Sequence, residues 1–191
     1  MKTGTLIFVC TSLMLGLSNS ALADNYKHKK AKLAAELNGG QQVRTAQIMG
    51  ATGETVTIPI GPLVTGAHGK ARFKLSKDKT MLEYHLEATG FGTPLFMAHI
   101  HLGPKGANGG VLMWLFGDQS NAPFTLPRDD GPFTGAISGT LTMNELNPNP
   151  ALGINTFEDA ITNIMNGNAY VNLHTTANPP GEIRGQIHPK H

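Results

Sequence analysis

Short runs of alternating apolar and polar residues, each closed by a cluster of Gly, Pro or Asn, recur along most of this chain and restrict its fold more than any other feature. Ala71, Phe73 and Leu75 alternate with Arg72 and Lys74, and Leu82, Tyr84 and Leu86 alternate with Glu83, His85 and Glu87, with Lys77-Asp78-Lys79 between them. Successive side chains of a strand point to opposite faces, so period two on both sides of a polar turn predicts a hairpin. Further such runs cover 98–102, 111–116, 133–141, 169–174 and 182–187. Their boundaries are Gly103-Pro104-Lys105-Gly106, Asp129-Asp130-Gly131-Pro132 and Asn178-Pro179-Pro180-Gly181. About seven short strands at this spacing predict an all-β domain, a Greek-key β-sandwich or barrel. The 23 Gly and 12 Pro among 191 residues, with no collagen period, agree with a turn-rich β fold.

One segment departs from period two. Phe157, Ile161, Ile164 and Met165 fall at helical spacing, with Thr156 and Asp159 able to cap the start and Gly167 to stop the end. This predicts one short amphipathic helix near residues 157–166. Residues 39–66 carry Gly, Thr and Pro throughout and give no assignable element.

The N-terminus reads as a secretory signal. Lys2 supplies a basic start, 5–17 an apolar run, and Ala21-Leu22-Ala23 a small-x-small site for cleavage near Ala23/Asp24. The run is shorter than the roughly 20 apolar residues that span a bilayer, so no membrane span is expected in the mature chain. The expected organisation is a signal peptide over 1–23, a basic flexible arm over 24–32 and one domain over 33–188, in a periplasmic or secreted protein. Cys10, the sole cysteine, lies inside the signal. The mature chain then has neither disulfides nor thiolate metal sites, and its core alone must hold it together.

Charge and motifs exclude several function classes. A net charge of +2, without aromatic stripes, does not make the electrostatic footprint of a nucleic-acid binder. No phosphate loop, dinucleotide fingerprint, zincin motif or nucleophile elbow is present, and no organic cofactor is expected. Gly106–Gly110 follows a turn and opens no helix, so it reads as a loop. Asp129-Asp130 and Glu158-Asp159 are sequence neighbours whose side chains diverge, which makes them poor acid–base pairs. Trp114 and Phe116 read as core residues.

The histidines carry the chemistry. In Met97-Ala98-His99-Ile100-His101-Leu102, alternation sends Ala98, Ile100 and Leu102 into the core and Met97, His99 and His101 to the other face. In Tyr170-Val171-Asn172-Leu173-His174, His174 points outward with Tyr170 and Asn172. Outward histidines are ordinarily surface residues. Residues i and i+2 lie roughly 6.5–7 Å apart and neighbouring strands about 4.8 Å apart, however, so three imidazoles can converge on one ion if the two strands are close. Imidazole suits copper, zinc, iron or nickel, and a thioether from Met97 on the same face favours Cu(I). His188 shares a side with Glu182, Arg184 and Gln186 and is a candidate fourth ligand. If the first hairpin pairs Phe73 with Leu82, His85 faces Lys70 and sits diagonal to His68, a second and less favoured pair.

The segments Ala98-His99-Ile100-His101-Leu102-Gly103-Pro104, Ser138-Gly139-Thr140-Leu141-Thr142, 169–175 and Asn178-Pro179-Pro180-Gly181-Glu182-Ile183-Arg184-Gly185-Gln186-Ile187 resemble a CHRD domain, the module named from chordin, from about Leu33 to Ile187. That resemblance implies an extracytoplasmic domain and, through chordin, a binding module without carrying over a partner. The alternative to a metal site is a metal-free extracytoplasmic module for an envelope protein or polysaccharide. A looser resemblance is to copper-zinc superoxide dismutase, with an immunoglobulin-like sandwich as the other β architecture considered. His99 and His101 look like that enzyme's His-x-His pair, His174 like its later strand histidine, and Arg184 stands where an anion-guiding arginine would. The loop after Gly103 holds no histidine to bridge a second metal, so this likeness implies one mononuclear copper. It does not assert dismutase activity, which needs an open coordination position and a suitable potential.

Overall fold

The computed structural model describes residues 31–117 and 131–190. The signal sequence, most of the basic arm, Asp129-Asp130 and His191 lie outside them. Eleven strands run β1 (Lys32–Asn38), β2 (Arg44–Met49), β3 (Thr55–Ile60), β4 (His68–Leu75), β5 (Leu82–Thr89), β6 (Leu95–Leu102), β7 (Val111–Phe116), β8 (Gly135–Leu141), β9 (Ala169–Thr175), β10 (Ile183–Gln186) and β11 (His188–Pro189), with helix α1 (Phe157–Met165) before β9. Lys32, expected in the arm, already pairs with Lys74 as the first residue of β1.

Nine strands form one antiparallel sheet in the order β7-β6-β9-β10-β1-β4-β5-β8, with β11 also on β1. The sheet curls into a nearly closed barrel. Its end strands β7 and β8 come into contact, and Tyr84 Oη on β5 donates to Leu115 O on β7 at 2.5 Å. The all-β expectation is met, as a barrel-like sheet. The first and last of the described strands, β1 and β11, pair in its middle, where β1 also lies between β4 and β10. The inward residues, among them Leu33, Leu37, Phe73, Leu82, Leu86, Ile100, Leu112, Val171, Leu173 and Ile183, form one continuous core.

The helix forms where its apolar spacing predicts. Thr156 and Asp159 make a reciprocal capping box, and Phe157, Ala160, Ile161 and Ile164 are buried. Gly167 ends it in the left-handed region at φ 75°, which glycine adopts without steric cost. The helix packs against β9 and β11.

Three readings need correction. The first hairpin pairs Phe73 with Tyr84 and Leu75 with Leu82, a register two residues away from the expected one. The turn is longer than its lysines suggest, because Ser76 N donates to Met81 O and Ser76 Oγ accepts from both Thr80 N and Met81 N. His85 therefore faces Arg72, and His68 faces Thr89. They do not form a pair: His85 binds Ser138 Oγ at 2.7 Å and Glu87 Oε1 at 2.9 Å, while His68 Nδ1 donates to Gly66 O. Second, the unassigned stretch 39–66 contains a separate two-stranded sheet, β2 with β3, on which Ile48, Met49, Val56 and Ile60 are exposed. Third, Trp114 does not join the core. The β6–β7 ladder carries irregularities at Ala98/His99 and Ile100/His101, and with this shifted register Met113 is buried while Trp114 lies half-buried beside His99.

Candidate metal centre

Strands β6 and β9 are immediate neighbours, with Met97 opposite His174, His99 opposite Asn172 and His101 opposite Tyr170. This register supplies the condition that spacing alone could not. His99, His101 and His174 converge, and one ligand nitrogen from each lies within 4.8 Å of the others. Ring centroids are 5.3 Å apart for His99–His101, 4.9 Å for His99–His174 and 5.8 Å for His101–His174.

The trio is buried rather than exposed, at 2%, 9% and 5%. Its face points away from the hydrophobic core, as alternation requires, but loops cover it. Asn108 Nδ2 donates to Val43 O at 2.9 Å, joining the loop after β6 to the segment before β2. Gln42 Nε2 donates to Asn172 Oδ1 at 2.6 Å, laying that segment over β9. On the far side, Pro179 and Pro180 present carbonyls to His174 and Asn172. The buried polar residues Gln42, His99, His101, Asn172, His174, Arg184 and Gln186 thus form a second, polar layer outside the barrel wall.

Hydrogen bonds fix the protons in this layer. His174 Nδ1 lies 2.8 Å from Pro179 O and His101 Nδ1 lies 3.0 Å from Gly109 O. A carbonyl only accepts, so both Nδ1 atoms carry the proton and both Nε2 atoms keep a bare lone pair. His99 Nδ1 then donates to His174 Nε2 at 3.2 Å. His99 Nε2 and His101 Nε2 are buried and have no hydrogen-bond partner among the described residues. Burial without a partner costs about 1–3 kcal/mol per group, so two such nitrogens side by side call for an explanation.

All three imidazoles are held neutral. Burial, then the neighbouring His174 and His101, lowers His99 to about 2. Burial lowers His174 to about 4 against the opposing bond to Pro179, and it lowers His101 against the bond to Gly109. Neutral imidazole is the form that ligates metal, and carbonyl partners on the far nitrogens are the usual orienting contacts of ligating histidines.

The two carbonyls are delivered by glycine-dependent loops. A Cβ on Gly109 would stand 1.4 Å from Leu102 O, so the loop after β6 closes this tightly only with glycine there. Gly181 sits at φ 128° and packs against the Asn172 side chain, letting the Pro179-Pro180 turn return over β9.

The other sequence-predicted residues are placed as follows. Met97 is buried opposite His174. His188 is on β11 opposite Ala34, exposed and outside the trio, because β11 pairs with β1 beyond the end of β10. Arg184 is 2% exposed, with its guanidinium carbon 3.4 Å from the Tyr170 ring centroid. It donates to Pro104 O, Ala107 O and Asn108 Oδ1. Sequence reasoning missed Trp114, whose ring meets His99 edge-on at 4.2 Å, and the carbonyls of Gly109 and Pro179. Main-chain ligand orienters leave no mark in side-chain patterns. The glycine run at 106–110 was the available signal.

The family model of the CHRD domain matches residues 33–187. Neither the curated proteins nor the solved structures gave a match.

Proposed function

The chain belongs to the CHRD domain family, and from that premise we propose that it is an exported protein holding a single copper ion through His99, His101 and His174, in copper handling. The observation that carries this reading is the pair of buried Nε2 atoms with no partner among the described residues, beside a third neutral imidazole. One cation would take the two lone pairs left without a partner, and that of His174 Nε2 once it replaces the His99 Nδ1 hydrogen bond there. Whichever nitrogen of His99 serves as ligand, its proton resides on the other.

Copper is preferred over zinc on donor chemistry. Imidazole sites bind Cu(II) most tightly of the divalent first-row ions, and Met97, buried opposite His174, is the candidate fourth donor that would extend the site to Cu(I). Burial of all three imidazoles favours retention of the ion over turnover of a diffusing substrate such as superoxide. Export rests on the signal-like N-terminus. No helix among the described residues is long and apolar enough to cross a membrane.

The test is copper affinity measured by competition with a chelator. His174→Ala should abolish tight binding while near-UV circular dichroism shows the fold retained. Equal, weak binding by wild type and variant would end this reading. A second reading, a metal-free module for an envelope protein or polysaccharide, is favoured by the exposed apolar residues Ile48, Met49, Val56 and Ile60 on β2 and β3. Under it, variants of the histidine trio would leave partner binding unchanged.

A further inference from the structure

Arg184 is the largest of the fully buried side chains, and among the described residues no carboxylate pairs with it. Burying a guanidinium without a counter-charge is costly unless its donors and its face are engaged. Here they are engaged by groups that lead to one histidine. The Tyr170 ring that carries the guanidinium at 3.4 Å is also stacked on the His101 ring, at 5.0 Å between centroids and 5° between planes. Tyr170 Oη accepts from Gly109 N at 3.1 Å, and Gly109 O accepts from His101 Nδ1 at 3.0 Å. The guanidinium itself binds Pro104 O at 3.1 Å, Ala107 O at 2.8 Å and Asn108 Oδ1 at 3.3 Å, three points on the loop that ends at Gly109. One route from Arg184 runs through an aromatic ring and the other through a loop, and both end on His101.

We propose that Arg184 is a positioning residue for the metal centre: through the Tyr170 ring and the 103–110 loop it holds His101 in the orientation and tautomer that leave Nε2 bare. This rests on the reading that the trio binds metal. A planar fork that stacks on one face while donating to several carbonyls is a geometry that lysine cannot reproduce. Arg184→Lys therefore keeps the charge and loses the function assigned here.

The experiment is a double-mutant cycle on Cu(II) affinity, with chelator competition applied to wild type, Arg184→Lys, His101→Ala and the double variant. Arg184→Lys should weaken binding about 10–100-fold, the range typical of lost outer-shell partners. In the His101→Ala background the same change should alter affinity less than about twofold, because its effect passes through His101. Unchanged affinity in Arg184→Lys, or an equal loss with and without His101, would overturn the assignment while leaving the metal reading standing. If wild type itself binds no copper, the metal reading fails and this assignment with it. Should Arg184→Lys not fold, Tyr170→Phe carries the same cycle. It keeps the stacking ring, removes the hydroxyl that holds Gly109, and should weaken binding only when His101 is present.

Discussion

Acidification of the metal-free protein from pH 7 to pH 5.5 should destabilise it by an amount set by the buried trio. In the native state His174 protonates only near 4 and His99 near 2, whereas in the unfolded chain both protonate near 6.5. Stability is therefore complete above 6.5 and declines as the pH falls, because the unfolded state takes up protons that the folded state refuses. Between pH 7 and 5.5 each such histidine removes about 1.2 kcal/mol, so the two together remove about 2.5 kcal/mol. His101, lowered by burial, acts in the same direction. With an m-value of about 2 kcal/mol/M, the urea midpoint should drop by about 1 M with little change in slope. This window lies above the range where carboxylates titrate, so Glu87 and Asp159, whose values are lowered by their hydrogen bonds, do not contribute. The assay is urea unfolding followed by circular dichroism, in chelator, at both pH values. His99→Gln should remove about 1.2 kcal/mol of the dependence. A midpoint that does not move with pH would refute the claim that these imidazoles are desolvated and neutral.

Two further outcomes follow from the geometry. Gly109→Ala places a methyl 1.4 Å from Leu102 O and should cost at least about 2 kcal/mol in thermal unfolding, whereas Gly110→Ala, with open space at its Cβ, should stay within about 0.5 kcal/mol. Trp114 is the one tryptophan of the chain and touches His99. Cu(II) at the trio should quench most of the tryptophan emission in a saturable titration, and His99→Ala should remove the saturable component.

Most of the barrel was legible because its strands are half-buried and alternate cleanly. The 71–75 and 82–86 runs, 111–116, 169–174 and the capped helix all stand where their periods place them. Hairpin register was not legible, since Ser76 lengthens the turn through hydrogen bonds that composition does not reveal. The β2–β3 hairpin was missed because both of its faces are largely exposed, so burial imposes no alternation on it. The three histidines could be named from strand parity, but their burial could not. Parity tells which face a side chain takes, and only tertiary structure tells that loops from 39–43, 103–110 and 179–181 fold back over that face.

The central claim is a three-imidazole copper site, and the most direct measurement is the electron paramagnetic resonance spectrum of the mature protein titrated with Cu(II), with bound metal quantified by mass spectrometry. One equivalent of copper showing nitrogen hyperfine structure from several imidazoles, reduced in His101→Ala and in His174→Ala, is the predicted result. A spectrum of weakly held copper without that structure, unchanged in the variants, would contradict it.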